Sequence, residues 1–182
     1  MKKRLVLILV ALSLLLSLSG CQIFDSSQGK DANDNQTSLP KEMPEDFSFI
    51  VRWDSGGCFK YDSSNGQLVK DSYREDGSTT YVMPKEELET IYKLIYDLNI
   101  ESYPDRLDES TYQLSDPNQD FYLTVNANGV CKTVAAIAAE EINAGKTPEA
   151  KKFFNTIKYI INLLENTEEW KSLPTAPSGP IE

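Results

Sequence analysis

Residues 47–54 read FSFIVRWD, and this stretch decides the fold. Phe47, Phe49, Val51 and Trp53 alternate with Ser48, Ile50, Arg52 and Asp54. A period of two with aromatic and β-branched residues on one side is the pattern of a strand with one buried face. Ser55-Gly56-Gly57 then turns the chain, and Cys58-Phe59-Lys60-Tyr61 continues as a second strand. Ser64-Asn65-Gly66 turns it again, and QLVKDSY and TTYVM read as two more strands separated by Glu75-Asp76-Gly77. The first half of the domain is therefore expected to be an antiparallel meander of about four strands.

Downstream the period lengthens. Pro84 suits the opening of a helix, Glu86 and Glu87 suit its positive end, and Leu88, Ile91, Tyr92, Ile95 and Leu98 share one face. DFYLTVN and VCKTVAAI flank Ala127-Asn128-Gly129, the signal of a hairpin. A second helix is expected from Pro148, capped by Thr147, with Phe153, Phe154, Ile157, Ile160, Ile161 and Leu164 turned inward. The expected fold is α+β, a meander plus a hairpin in one antiparallel sheet with two main helices on one face. It forms a single domain over residues 46–170, large enough for one core.

Upstream the chain has a different character. Lys2, Lys3 and Arg4 precede an apolar run from Leu5 to Leu18, the layout of a secretory signal peptide over residues 1–20. The run is shorter than the roughly 20 residues of a comfortable membrane-spanning helix. Leu18-Ser19-Gly20-Cys21 resembles the lipobox of bacterial lipoproteins. The resemblance implies a diacylglycerol on the Cys21 sulfur, cleavage just before it, and a protein held at the extracytoplasmic face of the cell membrane. Two acyl chains meet the requirement that stable anchoring take more than one lipid chain.

Residues 21–45 are polar, aperiodic and rich in Asp, Asn, Ser, Gln and Pro, and read as a disordered linker. Such a linker spans on the order of 25 to 30 Å. Residues 171–182, ending in SLPTAPSGPIE, read as a disordered Pro-rich tail. The order of a cysteine-bearing hairpin, a meander, a helix opening Pro84-Lys85-Glu86-Glu87-Leu88 and a later strand pair is similar to small, functionally uncharacterised domains of bacterial exported proteins.

The chain carries 18 basic and 28 acidic residues, a net charge of −10. Removal of residues 1–20 takes three basic residues and no acidic ones, giving 15 − 28 = −13. So acidic a domain is repelled by nucleic acid and by anionic headgroups, so lipid rather than a basic patch is expected to hold it at the membrane. The chain has no histidine, which excludes Ser-His-Asp and Cys-His catalysis and imidazole zinc sites.

Two cysteines remain beside Cys21. Cys58 and Cys131 are both expected on the sheet face opposite the aromatic one, if Trp53 pairs with Phe59 and Val125 with Lys132. A disulfide between them would close a loop of about 70 residues and contribute roughly 4 kcal/mol. Two separate thiols are the alternative.

The stretch YPDRLDESTYQLSDPNQD, residues 103–120, gathers Tyr103, Asp105, Asp108, Tyr112, Asp116, Asn118 and Asp120. These are the candidates for a partner or cation contact, with the tyrosines as anchors. Asp116, Asn118 and Asp120 have the spacing that opens a calcium loop. Phe121 replaces the turn glycine, however, and Ala127 replaces the closing glutamate, so no metal site or cofactor is expected.

Three functions remain. The leading one is a lipid-anchored extracytoplasmic module that binds an envelope protein. The others are a small-ligand or cation-binding lipoprotein, and an envelope hydrolase with two carboxylates facing across about 5 to 9.5 Å.

Overall fold

The computed structural model describes residues 39–55, 58–72 and 74–174, and within these it leaves the side chains of residues 116–118 undescribed. Residues 1–38, including Cys21 and the expected signal peptide, and the tail from 175 lie outside the described residues.

The fold is α+β. Six strands form one antiparallel sheet: β1 (Ser48–Trp53), β2 (Phe59–Asp62), β3 (Gln67–Val69), β4 (Ser78–Thr80), β5 (Leu114–Ala127) and β6 (Val130–Ala139), in the order β4-β3-β2-β1-β5-β6. Helix α1 (Lys85–Leu98) follows the meander, and α2 (Pro148–Glu165) and the short α3 (Glu168–Ser172) follow the hairpin.

The alternation in 47–54 sets the layers. Phe49, Val51 and Trp53 are buried, while Arg52 is exposed with its guanidinium 5.2 Å from the centre of the Tyr122 ring. Register carries the buried face across the sheet: Val51 lies opposite Tyr61 on one side and Leu123 on the other, and Tyr61 lies opposite Leu68. All three helices reach this face through aromatic contacts. Phe47 meets Tyr92 of α1 edge-on at 4.8 Å, Phe121 meets Phe154 of α2 at 5.7 Å, and Trp53 stacks on Trp170 of α3 at 5.2 Å. Each ring removes on the order of 150 to 250 Å² from water, and ring pairs add about 0.5 to 1.5 kcal/mol.

The expected local signals operate. The Thr147 hydroxyl accepts the Ala150 N–H at the start of α2. Asn128 and Gly129 both adopt positive φ, 51° and 76°, which suits a two-residue hairpin whose twist matches its strands. The Asp46 carboxylate accepts both N–H groups of that turn, at 2.9 and 3.3 Å.

The sheet departs from four strands plus a hairpin at the outer edge of β6. Residues 105–107, read in sequence as part of a solvated acidic loop, run parallel to β6 as a further strand segment. The Leu107 N–H donates to the Ala135 carbonyl, and the Ala135 N–H donates to the Asp105 carbonyl. An edge strand offers unpaired backbone groups, and this segment takes them up.

The packed region also reaches beyond residues 46–170. Leu39 and Leu173 are buried in the core cluster, Met43 packs against it, and the Tyr92 hydroxyl donates to the Pro40 carbonyl. Residues 39–45, expected in the linker, thus form an arm on the domain.

Candidate functional site

Five of the residues singled out in 103–120, Tyr103, Asp105, Asp108, Tyr112 and Asp120, make contacts within the fold. Tyr103 and Tyr112, read in sequence as anchors for a partner, are buried. The Tyr103 hydroxyl donates to the Glu149 carbonyl at 2.9 Å. That of Tyr112 donates to the Ile137 carbonyl at 2.6 Å and accepts the Ile137 N–H at 3.2 Å. Tyrosine rings fill the core while their hydroxyls satisfy main chain that water cannot reach.

The acidic residues of the stretch divide the same way. Asp105 pairs with the Lys132 ammonium at 2.6 Å, and the hydrogen bond and charge of that lysine hold its carboxyl below the usual range. Asp108 caps the 3-10 turn Glu109–Thr111 by accepting the Ser110 N–H, which lowers its pKa as well. Asp120 accepts the Ala138 N–H at 2.8 Å, where Ala138 sits at φ 61°. Around it, Leu114 and Gln119 both pair with Ala139, so residues 115–118 bulge out of β5. Asp116 and Asn118 lie in that bulge, with only their backbone described.

The predicted registers are those observed, Trp53 opposite Phe59 and Val125 opposite Lys132. Cys58 and Cys131 nevertheless form no disulfide. Three strand spacings of about 4.8 Å separate β2 from β6, and Cys131 pairs with Asn126 at the Ser48 end of the sheet while Cys58 precedes Phe59 at the Trp53 end. A disulfide needs Cα atoms within about 7 Å. Burial raises the Cys58 pKa, with Asp54 adding to the effect.

A groove of about 650 Å³ lies elsewhere, between the arm and α1. Its floor is Met43, Phe47, Leu88, Tyr92 and Tyr96, and its rim carries Lys41, Glu42, Glu45, Lys85, Glu89, Lys93 and Asp97. This combination follows from the helix period. Ile91, Ile95 and Leu98 turn inward, so at 100° per residue Glu89 and Lys93 turn outward, with Leu88, Tyr92 and Tyr96 between the two faces on the arm side. Burial raises the Tyr92 pKa, with Tyr96 and then Asp46 contributing.

Along the outer ridge the charges alternate in sign: Lys85, Glu89, Lys93, Asp97. Lys85 and Glu89 lie 3.6 Å apart, and Lys93 and Asp97 make no ion pair among the described residues. This groove was missed in the sequence, although the four-residue repeat of alternating charge is legible there.

A smaller cleft of about 290 Å³ brings Asp54 and Glu165 into one lining with Gln119 and Asn162. Glu165 accepts the Trp53 indole N–H at 3.2 Å, and Asp54 adopts a φ of 72°. No group of three or more His, Cys, Asp or Glu side chains is disposed to hold a metal ion among the described residues. The chain matches no protein-family model and none of the curated proteins.

Proposed function

We propose that this chain is a lipid-anchored binding module, held by Cys21 at the extracytoplasmic face of the cell membrane, that contacts an envelope protein through α1 and the arm. The observation carrying the reading is the groove itself, with an apolar floor and a rim charged in both signs, beside the arm that continues from the lipobox-bearing segment. Among the described residues no helix is long and apolar enough to cross a membrane, so the lipobox cysteine supplies the attachment in this reading. Of the acidic residues that suggested a cation or ligand loop, Asp105, Asp108 and Asp120 are engaged with Lys132, Ser110 and Ala138, which favours a protein-contact surface elsewhere.

The test uses the full chain in living cells. Cys21→Ala is expected to move the protein from the membrane fraction to the soluble one and to remove the diacylglycerol mass. A photo-crosslinking residue at Leu88 is expected to yield a light-dependent adduct with a polypeptide, and one at Thr133 on the opposite sheet face to yield none. Absence of any polypeptide adduct at Leu88 overturns the module reading. The carboxylate-hydrolase reading has its own place, the Asp54 and Glu165 cleft, and requires that Glu165→Gln abolish a wall-degrading activity.

A further inference from the structure

The exposed ridge of α1 reads Lys85, Glu89, Lys93, Asp97, one charge every four residues and about 6 Å of helix. This order has a property that a random charged face lacks. A twofold rotation about an axis passing between Glu89 and Lys93 sets Lys85 against Asp97 of a second copy and Glu89 against Lys93 of a second copy, and the reverse. Every charge then meets its opposite. Parallel, in-register stacking sets each charge against its like, which penalises that arrangement.

The ridge is shaped for such a partner. On one side lies the arm groove, and on the other a depression of about 380 Å³ between α1 and α2, lined by Leu94, Leu98, Lys152 and Tyr159. With ridge facing ridge across the axis, the charges meet at the centre of the contact and the depressions on either side, with Leu88 and Leu94 in their linings, lie beside it. Tyr159 is one of three large hydrophobic residues exposed among the described residues, at 40%. Intrahelical pairing does not account for the ridge charges: the single pair formed, Lys85 with Glu89, runs in the weaker order with the lysine N-terminal, and Lys93 and Asp97 make no ion pair among the described residues.

We infer that the groove-flanked face of α1 pairs with the same face of a second copy of this chain in an antiparallel, twofold dimer. This names the partner of the module proposed above and rests on that reading. A twofold axis along the membrane normal also lets two anchors reach one bilayer, and confinement there raises the effective concentration of each copy for the other.

Native mass spectrometry of the full lipidated chain, released from mild detergent, reads stoichiometry and lipid mass together. The expected result is a dimer that Lys93→Glu weakens by about tenfold or more, as for charge reversal in a close ionic pair. Glu89→Lys is expected to weaken it similarly, and the double variant E89K/K93E to restore it, because residues 89 and 93 face each other across the axis. All three changes lie on the exposed ridge and leave the core untouched, which circular dichroism checks. Monomers at micromolar concentration, a dimer indifferent to Lys93→Glu, or a double variant no better than the singles overturns the pairing. A lipidated monomer bound through Leu88 to a different protein also overturns it while keeping the module. Dimers without lipid keep the pairing and overturn the anchor.

Discussion

Two irregular segments cross the surface of this domain, residues 39–45 and residues 103–113, and both are fastened by tyrosine hydroxyls on main-chain carbonyls. In the arm, the tyrosine belongs to the partner element: Tyr92 of α1 reaches out to Pro40. In 103–113 the segment carries its own two tyrosines into the core and adds backbone bonds to β6. The Gln113 N–H also donates to the Ala144 carbonyl, and the Lys146 N–H to that of Thr111. The second segment is therefore part of the cooperative core, whereas the arm, fastened through Leu39, Met43 and the Tyr92–Pro40 bond, is expected to open before the core does.

The largest effect is expected where the core-bound segment is cut loose. Tyr112→Ala removes a fully buried ring and leaves both polar groups of Ile137 without their partner, and should lower stability by about 3 to 5 kcal/mol in urea denaturation. That is a large part of the total for a domain of this size. No change beyond about 1 kcal/mol would mean that residues 103–113 are held as loosely as the arm.

Removing a single hydroxyl from each segment sharpens the contrast. Tyr112→Phe should cost about 1 to 3 kcal/mol of global stability. Tyr92→Phe, by contrast, should leave the midpoint nearly unchanged while speeding proteolysis within residues 39–45. Equal cleavage of both segments in the two variants would remove the distinction.

Alkali gives a graded version of the same test. Burial lifts the Tyr61 and Tyr103 hydroxyls to about 12, with the Glu149 charge adding to the second, against about 10 in the unfolded chain. The folded state holds these protons more tightly, so their contribution is intact below pH 10 and is lost as pH rises towards 12. Stability should accordingly be flat to about pH 9 and fall above 10, with part of the tyrosinate absorbance appearing only near 12. Full titration near 10 in the native protein would show these rings to be accessible. The smallest effect belongs to Asp105→Asn: the carboxylate is 90% exposed, so loss of its bond to Lys132 should not shift the melting temperature measurably.

What could be read in the sequence was what repeats. Phe49, Val51 and Trp53 announced the buried face, Ile91, Ile95 and Leu98 the seam of α1, and Asn128-Gly129 the hairpin register that placed Val125 opposite Lys132. The arm and residues 103–113 were missed because their anchors are solitary. Leu39, Met43, Tyr103, Leu107 and Tyr112 are buried or partly buried one at a time, separated by acidic and polar residues, so no period of two or 3.6 arises. Composition alone made both segments look solvated. The groove stayed hidden for the same reason, since one of its walls is the arm.

The connection of the arm to β1 has a mechanical consequence. The arm leads directly into β1, an inner strand of the sheet, bonded to β2 on one side and β5 on the other. Tension arriving through the N-terminal segment would first load the contacts of residues 39–45 with α1. Asp46 then transfers load to the Asn128-Gly129 turn, and further extension must shear β1 against two neighbours at once. The contacts of the arm and of Asp46 thus lie in series ahead of those that hold β1 in the sheet, so a pull through an N-terminal anchor of the kind proposed would load them first.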